Sequence, residues 1–184
     1  MKKSLKPKAL QPIAKLNFVS EIGELSLCAN ESGLSHLNII PQSGDEWLSR
    51  EVSDAAILTA DDNLALDTAN RHLLQARREL EEYFNGLRRQ FEVKLAPNGT
   101  EFQRQVWQAL SELDYGVSCS YAQIAERINR PKAVRAVGTA NGANPIAIIV
   151  PCHRVIGKNG TLTGYAFGIM LKQKLLKLEG WNNF

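Results

Sequence analysis

Cysteine is scarce in this 184-residue chain: there are three, Cys28, Cys119 and Cys152, with no Cys-x-x-Cys pair among them. An odd, dispersed set excludes a disulfide framework and lacks the spacing of a structural zinc site. Histidine is equally sparse, and a zinc site drawing on Cys28, His36 and His72 would still want a fourth ligand. Reduced thiols, no metal and no cofactor are the expectation. No apolar run approaches the roughly 20 residues that span a bilayer, and the basic first eight residues lead into no signal-peptide core. The chain therefore reads as cytoplasmic, without a membrane partner. Aromatic residues are few at 7%, yet 44% apolar and 22% charged residues suit one folded domain or two small ones, and exclude disorder, collagen and coiled coil.

Acidic residues are what the second half lacks. Residues 1–96 carry 12 Lys/Arg against 14 Asp/Glu, a net −2, whereas residues 97–184 carry 10 against 5, a net +5. A local basic excess fits a polyanionic partner, and a solvated surface has the same composition.

Three short alternating runs, 15–20, 24–29 and 35–40, separated by turn residues, predict an antiparallel meander. Residues 41–60 have weak periodicity. Asp61, Asp62 and Asn63 then supply helix-start chemistry for a helix over about 63–85, with Leu66, Ala69, Leu73, Ala76, Leu80 and Tyr83 on one face and Gly86 as its stop. Residues 90–95 alternate like a further strand. Pro97-Asn98-Gly99 is the clearest linker and divides the chain into domains 1–96 and 97–184.

The second half is helical in pattern. Thr100 with Gln103 fits a capping box ahead of a stripe at Phe102, Val106, Leu110 and Leu113, and Ser120 with Gln123 opens a short helix bearing Ile124, Ala125 and Ile128. Asn129-Arg130-Pro131 ends that helix and starts another at Lys132, running to about residue 140. Two short helices across a tight turn outline a helix-turn-helix, as does any packed helix pair. Residues 146–150 form a fully apolar run of strand length that delivers Cys152, His153 and Arg154 to its end. A Gly- and Asn-rich loop follows, and Leu171, Leu175 and Leu178 mark a last helix ending at Gly180.

A thiol reacts as thiolate and needs a base or a positive charge to lower its ordinary value of about 8.5. Cys152 has His153 and Arg154 beside it in sequence, where a buried segment gives way to a loop. On an extended backbone adjacent side chains point apart, so His153 reaches the thiol only if the chain turns there or a water intervenes. A small core residue is the other reading of such a cysteine.

The octapeptide Ile149-Val150-Pro151-Cys152-His153-Arg154-Val155-Ile156 resembles the active-site signature of the O6-alkylguanine-DNA alkyltransferases, which repair DNA by direct reversal. The likeness extends through Gly99-Thr100-Glu101-Phe102-Gln103 with Val106-Trp107, Ser120-Tyr121-Ala122-Gln123, Arg130-Pro131-Lys132-Ala133-Val134-Arg135, Ala140-Asn141-Gly142, Asn144-Pro145 and Gly164-Tyr165-Ala166-Phe167-Gly168. It covers about residues 97–181, in order and without gaps.

That resemblance implies an α/β (α+β) protein: a ribonuclease-H-like N-terminal domain of three layers, then a mostly helical, winged helix-turn-helix-like C-terminal domain. It implies a single-turnover methylated-DNA–protein-cysteine methyltransferase acting on double-stranded DNA from the minor groove as a monomer. Cys152 would accept the alkyl group from guanine O6 and from thymine O4. His153 would be its base through a bridging water, and Glu179 would orient the imidazole. Tyr121 would protonate guanine N3 and crowd the phosphate, and Asn144 would hinge the recognition helix to the cysteine segment. Arg135 would fill the stack left by the flipped base, with Lys132 beside it on the groove-entering helix. Tyr165 and the main chain of Cys152, Val155 and Ala166 would contact that base, and Phe167 would narrow its pocket. No catalytic residue is implied in residues 1–96, and the metal site of some relatives' N-terminal domains finds no matching residues there. A lesion-sensing, non-catalytic relative lacks the cysteine, a Cys-His hydrolase leaves Arg135 unexplained, and a fused phosphotriester sensor needs more length and more cysteines.

Overall fold

The computed structural model describes residues 11–40 and 64–182. The basic N-terminal eight, residues 41–60 and the Asp61-Asp62-Asn63 helix start lie outside the described residues. Three antiparallel strands, β1 (Ala14–Ser20), β2 (Gly23–Asn30) and β3 (Gly33–Ile40), pair in the order β1-β2-β3, which is the meander read from the sequence. Alternation buries Ala14, Phe18, Leu25, Leu27, Leu37 and Ile39 on one face. Against that face lies α1 (Leu64–Phe84), which turns Ala69, Leu73, Ala76 and Leu80 inward. Full burial of each leucine contributes about 1.5–3 kcal/mol. Among the described residues this half has two layers, one sheet and one helix, where three were expected.

The helical stripe of α1 holds one residue that amphipathicity alone would place outside. Glu79 is fully buried, and its Oε2 accepts the backbone N–H groups of Glu92 at 2.8 Å and Val93 at 3.1 Å, while Oε1 accepts Gln75 Nε2 at 2.8 Å. This carboxylate draws residues 92–93 onto the helix and out of a ladder. The strand expected over 90–95 is therefore absent, and what forms is a single parallel bridge, Leu34 to Leu95.

The remaining elements are α2 (Glu101–Ser111), β4 (Cys119–Ser120), α3 (Tyr121–Arg127), α4 (Val134–Gly142), a one-turn 3-10 helix (Cys152–Arg154), β5 (Val155–Ile156) and α5 (Ile169–Leu178). Both capping boxes form, Thr100 with Gln103 and Ser120 with Gln123. At the end of α3, Asn129 adopts φ +56, and the bonds Arg130 N to Ala125 O at 2.8 Å and Asn129 N to Glu126 O at 2.9 Å close a Schellman motif. The next helix starts later than its sequence suggests. Pro131 and Lys132 occupy a turn, and α4 begins at Val134 with no side-chain cap.

The exposed edge of β3 joins the two halves. Leu37 N donates to Pro145 O at 2.8 Å and Ala147 N donates to Leu37 O at 3.2 Å, so the sheet edge holds the segment that leads to Cys152. Residues 146–150 are buried as expected, but they are not a strand. Ile148 has φ +68 and Ile149 N bonds Ala147 O at 2.8 Å, a three-residue turn with a β-branched residue in the left-handed region.

Candidate active site: a buried thiol beneath a helix pair

The turn over 146–150 exists because Asn144 folds it. Its Nδ2 donates to Val150 O at 2.8 Å, Ile146 O at 3.3 Å and Cys152 Sγ at 3.2 Å, while its Oδ1 accepts Ile146 N at 3.0 Å. One amide thus satisfies backbone groups that a strand would have paired, and places an N–H on the thiol. Asn141, buried on α4, points Nδ2 at Cys152 O at 3.5 Å. The helix-turn-helix and the cysteine are one packed unit.

The chain turns at Cys152–Arg154, so the extended geometry that sends neighbouring side chains to opposite faces does not hold there. Because the chain coils at Cys152–Arg154, His153 and Arg154 both reach Glu179: His153 Nε2 lies 2.8 Å from Oε1, Arg154 Nε lies 2.8 Å from Oε2, and Arg154 Nη2 lies 3.0 Å from Oε1. Tyr83 Oη donates to Oε1 at 2.8 Å and Gly116 N donates to Oε2 at 3.2 Å. Glu179 holds this place because Gly180, at φ +82, closes a second Schellman motif, Trp181 N to Leu176 O and Gly180 N to Lys177 O, each 2.9 Å. At Gly116, φ is +73 and a Cβ would stand 2.6 Å from the Glu179 carbonyl oxygen, so both backbone and space require glycine.

Electrostatics assign the protons. Burial alone would raise the Glu179 carboxyl, but the hydrogen bonds and charges of His153 and Arg154 outweigh it and hold the group well below the usual carboxylate range. Burial pushes the His153 imidazole down, with Glu179 opposing. With Nε2 engaged by a carboxylate, the neutral ring carries its hydrogen there and leaves Nδ1 as a lone-pair acceptor; Nδ1 is buried with no protein partner. Burial also pushes the Cys152 thiol up, with the Asn144 N–H and the Lys172 charge opposing. The resting pair is therefore thiol and neutral imidazole, and a thiolate forms by proton transfer.

Lys172 was legible only as part of the last helix. The leucines at 171 and 178 are half-buried, whereas the fully buried face of α5 is Lys172, Leu175 and Leu176, with buried Glu179 next in that i, i+3, i+4, i+7 series. Lys172 Nζ donates to Val155 O at 2.5 Å and Thr163 O at 2.7 Å, and burial lowers its ammonium to about 8. It pins the loop bearing Tyr165 and Phe167. Tyr165 Oη is buried without a protein partner, and its ring packs edge-on against Phe167 at 5.6 Å. Tyr121, half-buried at the start of α3, donates to Thr163 O at 3.3 Å. Arg135 and Lys132 are solvent-exposed, as is Ala166, whereas Val155 is buried.

The sequence-predicted residues thus fall into a buried group, Cys152, His153, Glu179 and Val155, with half-buried Asn144 bonded to the thiol; a rim, Tyr121, Tyr165, Ala166 and Phe167; and an outer face, Arg135 and Lys132. Sequence reasoning missed Tyr83, Gly116, Arg154 as a carboxylate clamp, and Lys172. The signal for Lys172 was a lysine in register with the apolar positions 175 and 176. No local signal marked Tyr83. Among the described residues no three His, Cys, Asp or Glu side chains are grouped to hold a metal, and no helix is long and apolar enough to cross a membrane.

A buried thiol and a buried imidazole–carboxylate pair packed with a helix-turn-helix define a class of protein that performs cysteine chemistry beside a nucleic-acid-binding motif. Comparison with known proteins agrees. Residues 101–181 match the profile described as 6-O-methylguanine DNA methyltransferase, DNA binding domain, and residues 17–97 match its ribonuclease-like domain. The chain is 47% identical over 168 residues to the methylated-DNA–protein-cysteine methyltransferase of Methanosarcina acetivorans, covering 89% of this chain and 96% of that one. It is 43% identical over 159 residues to the constitutive Bacillus subtilis enzyme of the same name, covering 86% and 90%. The crystal structure of Mycobacterium tuberculosis OGT in complex with DNA superposes with a TM-score of 0.69 at 42% identity, covering 89% of this chain and 90% of that one. The chain belongs to the 6-O-methylguanine DNA methyltransferase family.

Proposed function

We propose that this protein repairs alkylated DNA by moving the alkyl group of O6-alkylguanine, and of O4-alkylthymine, irreversibly onto Cys152. The observation that carries this reading is the setting of Cys152: its buried thiol accepts from Asn144 Nδ2 at 3.2 Å, and the next residue, His153, is buried with its Nε2 2.8 Å from Glu179 and its Nδ1 open as an acceptor. The Cys152 proton passes through a water to His153 Nδ1. Sulfur then attacks the alkyl carbon as the carbon–O6 bond breaks, and the electron pair leaves with the purine. Tyr121 donates its phenolic proton to N3, so neutral guanine departs, and the imidazolium proton restores the phenol. The products are an S-alkylcysteine and an unmodified base.

Because the thiol is buried, the base must leave the stack, at a cost of a few kcal/mol. Arg135, exposed on α4 among small residues, fills the gap, and Lys132 contacts phosphate. Entry from the minor groove, where readout is degenerate, makes the search tolerant of sequence. Tyr165 and the main chain of Cys152, Val155 and Ala166 hold the flipped base against Phe167. Residues 97–184 form the domain that binds and reacts, and residues 1–96 form its scaffold. A monomer suffices, since every group in this scheme comes from one chain, and a reducing cytoplasm keeps Cys152 a thiol.

The test is intact mass after incubation with a duplex containing O6-methylguanine. One methyl per molecule, absent in Cys152→Ala and not exceeded with excess substrate, is the expected result. Tight binding without a mass gain favours a lesion sensor, and repeated turnover overturns the mechanism.

A further inference from the structure

We propose that Tyr83, in the N-terminal half, is a positioning residue for the transfer, setting through Glu179 how tightly His153 holds its proton. The proposal rests on the reading of Cys152 as acceptor and His153 as its base. Tyr83 lies in the last turn of α1, fully buried, with its ring against Phe84 and Phe91, each 5.4 Å away, and Tyr115 at 6.1 Å. Packing of that kind needs only a phenylalanine. The hydroxyl is the added element, and it donates at 2.8 Å to Glu179 Oε1, the same oxygen that His153 Nε2 meets at 2.8 Å.

The carboxylate does not need this bond for its own satisfaction. A carboxylate has about four lone-pair sites, and His153, two Arg154 nitrogens and Gly116 N already supply four donors. A fifth donor to the carboxylate, the third on Oε1, draws negative charge from that oxygen and weakens its hold on Nε2–H. The imidazolium formed when Cys152 loses its proton is then less strongly retained, and the base returns its proton more readily. The charged and titratable groups facing the His153–Glu179 pair are Tyr83 from α1, Tyr115 beyond α2, Cys152 and Arg154 from the 3-10 turn, Tyr165 from the loop and Lys172 from α5. Of these, Tyr83 and Arg154 donate directly to Oε1. Arg154 is also the clamp that fixes the carboxylate, which leaves Tyr83 as the donor free to tune it.

The experiment uses the full chain with ring-nitrogen-labelled histidine, followed by NMR and by single-turnover transfer rates against pH. In Tyr83→Phe the His153 Nε2–H proton moves downfield, and the acid limb of the rate profile rises by about half a pH unit, since a hydrogen bond to a charged group is worth a fraction of a unit or more. Site-specific 3-fluorotyrosine at position 83, a stronger donor, shifts both in the opposite direction. His36 and His72 serve as unmoved internal references. A purely structural role predicts no pair of opposite shifts from one site. The proposal is overturned if either variant leaves the His153 resonance and the acid limb in place, or if both shift the same way. Should Tyr83→Phe fail to fold, the fluorotyrosine protein decides alone. Failure of the alkyl-transfer reading appears separately, as unmodified Cys152 in the natural protein.

Discussion

Arg154 grips Glu179 with two nitrogens, Nε on Oε2 at 2.8 Å and Nη2 on Oε1 at 3.0 Å, so the carboxylate behind His153 cannot rotate. Its third nitrogen, Nη1, donates to Leu113 O at 2.6 Å, and its guanidinium lies over the Tyr115 ring at 5.8 Å. Residues 153 and 154 are neighbours in sequence that serve one carboxylate from two sides, which the 3-10 turn permits and an extended strand would not. The ion pair holds the carboxylate that His153 meets, and because it is buried, the fold and the proposed chemistry depend on the same contact.

Glu179→Gln tests that coupling. Removing the charge strands a buried guanidinium, at about 3–5 kcal/mol of stability, and the amide no longer fixes the imidazole tautomer, so transfer slows by about 10²–10⁴-fold. The sign with pH follows from the lowered carboxyl. Its stabilisation is complete above the ordinary value of 4.5 and is lost as pH falls below it toward the folded value. The gap in Tm between natural protein and variant is therefore widest at neutral pH and narrows in acid. A gap of constant size from neutral pH down to about pH 3 would contradict the ion-pair account.

Asn144→Ala removes the N–H on sulfur and the stitching of the turn over 146–150. Unpaired Val150 and Ile146 groups cost about 1–3 kcal/mol, and the thiol, already pushed up by burial, rises further without the donor that opposes it. The midpoint of iodoacetamide labelling at Cys152 against pH moves upward, and transfer from DNA slows. An unchanged labelling midpoint would remove Asn144 from the thiol's environment.

Much of this site was legible in the sequence, and the illegible parts share a cause. Caps at Thr100 and Ser120, the meander, and the stripe of α1 are local patterns, and each forms as read. The run at 146–150 was read as a strand because an apolar string reports burial and not backbone shape. Its turn is dictated by the side-chain bonds of Asn144, which an apolar pattern does not report, and by the edge of β3 at Leu37, which no window around residue 148 contains. Glu179 is marked by the resemblance alone, since a helix-end carboxylate has no local signal of burial; the structure places it in register with Lys172, Leu175 and Leu176. Tyr83 and Glu179 stand 96 residues apart, and nothing in the α1 stripe separates a packing tyrosine from a donor.

Arg135→Ala separates base flipping from chemistry. Arg135 is exposed on α4 whereas the thiol is buried, so in the proposed scheme its loss withdraws the group that fills the vacated stack. Unstacking costs a few kcal/mol, and the transfer rate from duplex DNA drops by about 10²–10³-fold. The loss on free O6-benzylguanine is far smaller. Equal losses on duplex and free base would place Arg135 in the chemical step and defeat the flipping role.

The proposed role of Phe167 is to narrow the pocket for the flipped base. Its ring is half-buried and packs edge-on against Tyr165 at 5.6 Å, in the loop that Lys172 pins through Thr163 O. In the proposed scheme the Phe167 ring takes up space that a benzyl adduct on guanine O6 requires and a methyl adduct does not. Phe167→Gly removes that bulk while the loop stays held by Lys172, so reaction with O6-benzylguanine speeds by about 10-fold or more, the range one apolar group commonly commands in a pocket. The rate with O6-methylguanine in duplex DNA changes less, because the smaller adduct never met the ring. Competition between the two substrates, followed by intact mass on Cys152, measures the ratio directly. If the benzyl-to-methyl ratio of Phe167→Gly equals that of the natural protein, the pocket is bounded by other residues and Phe167 serves only to pack Tyr165.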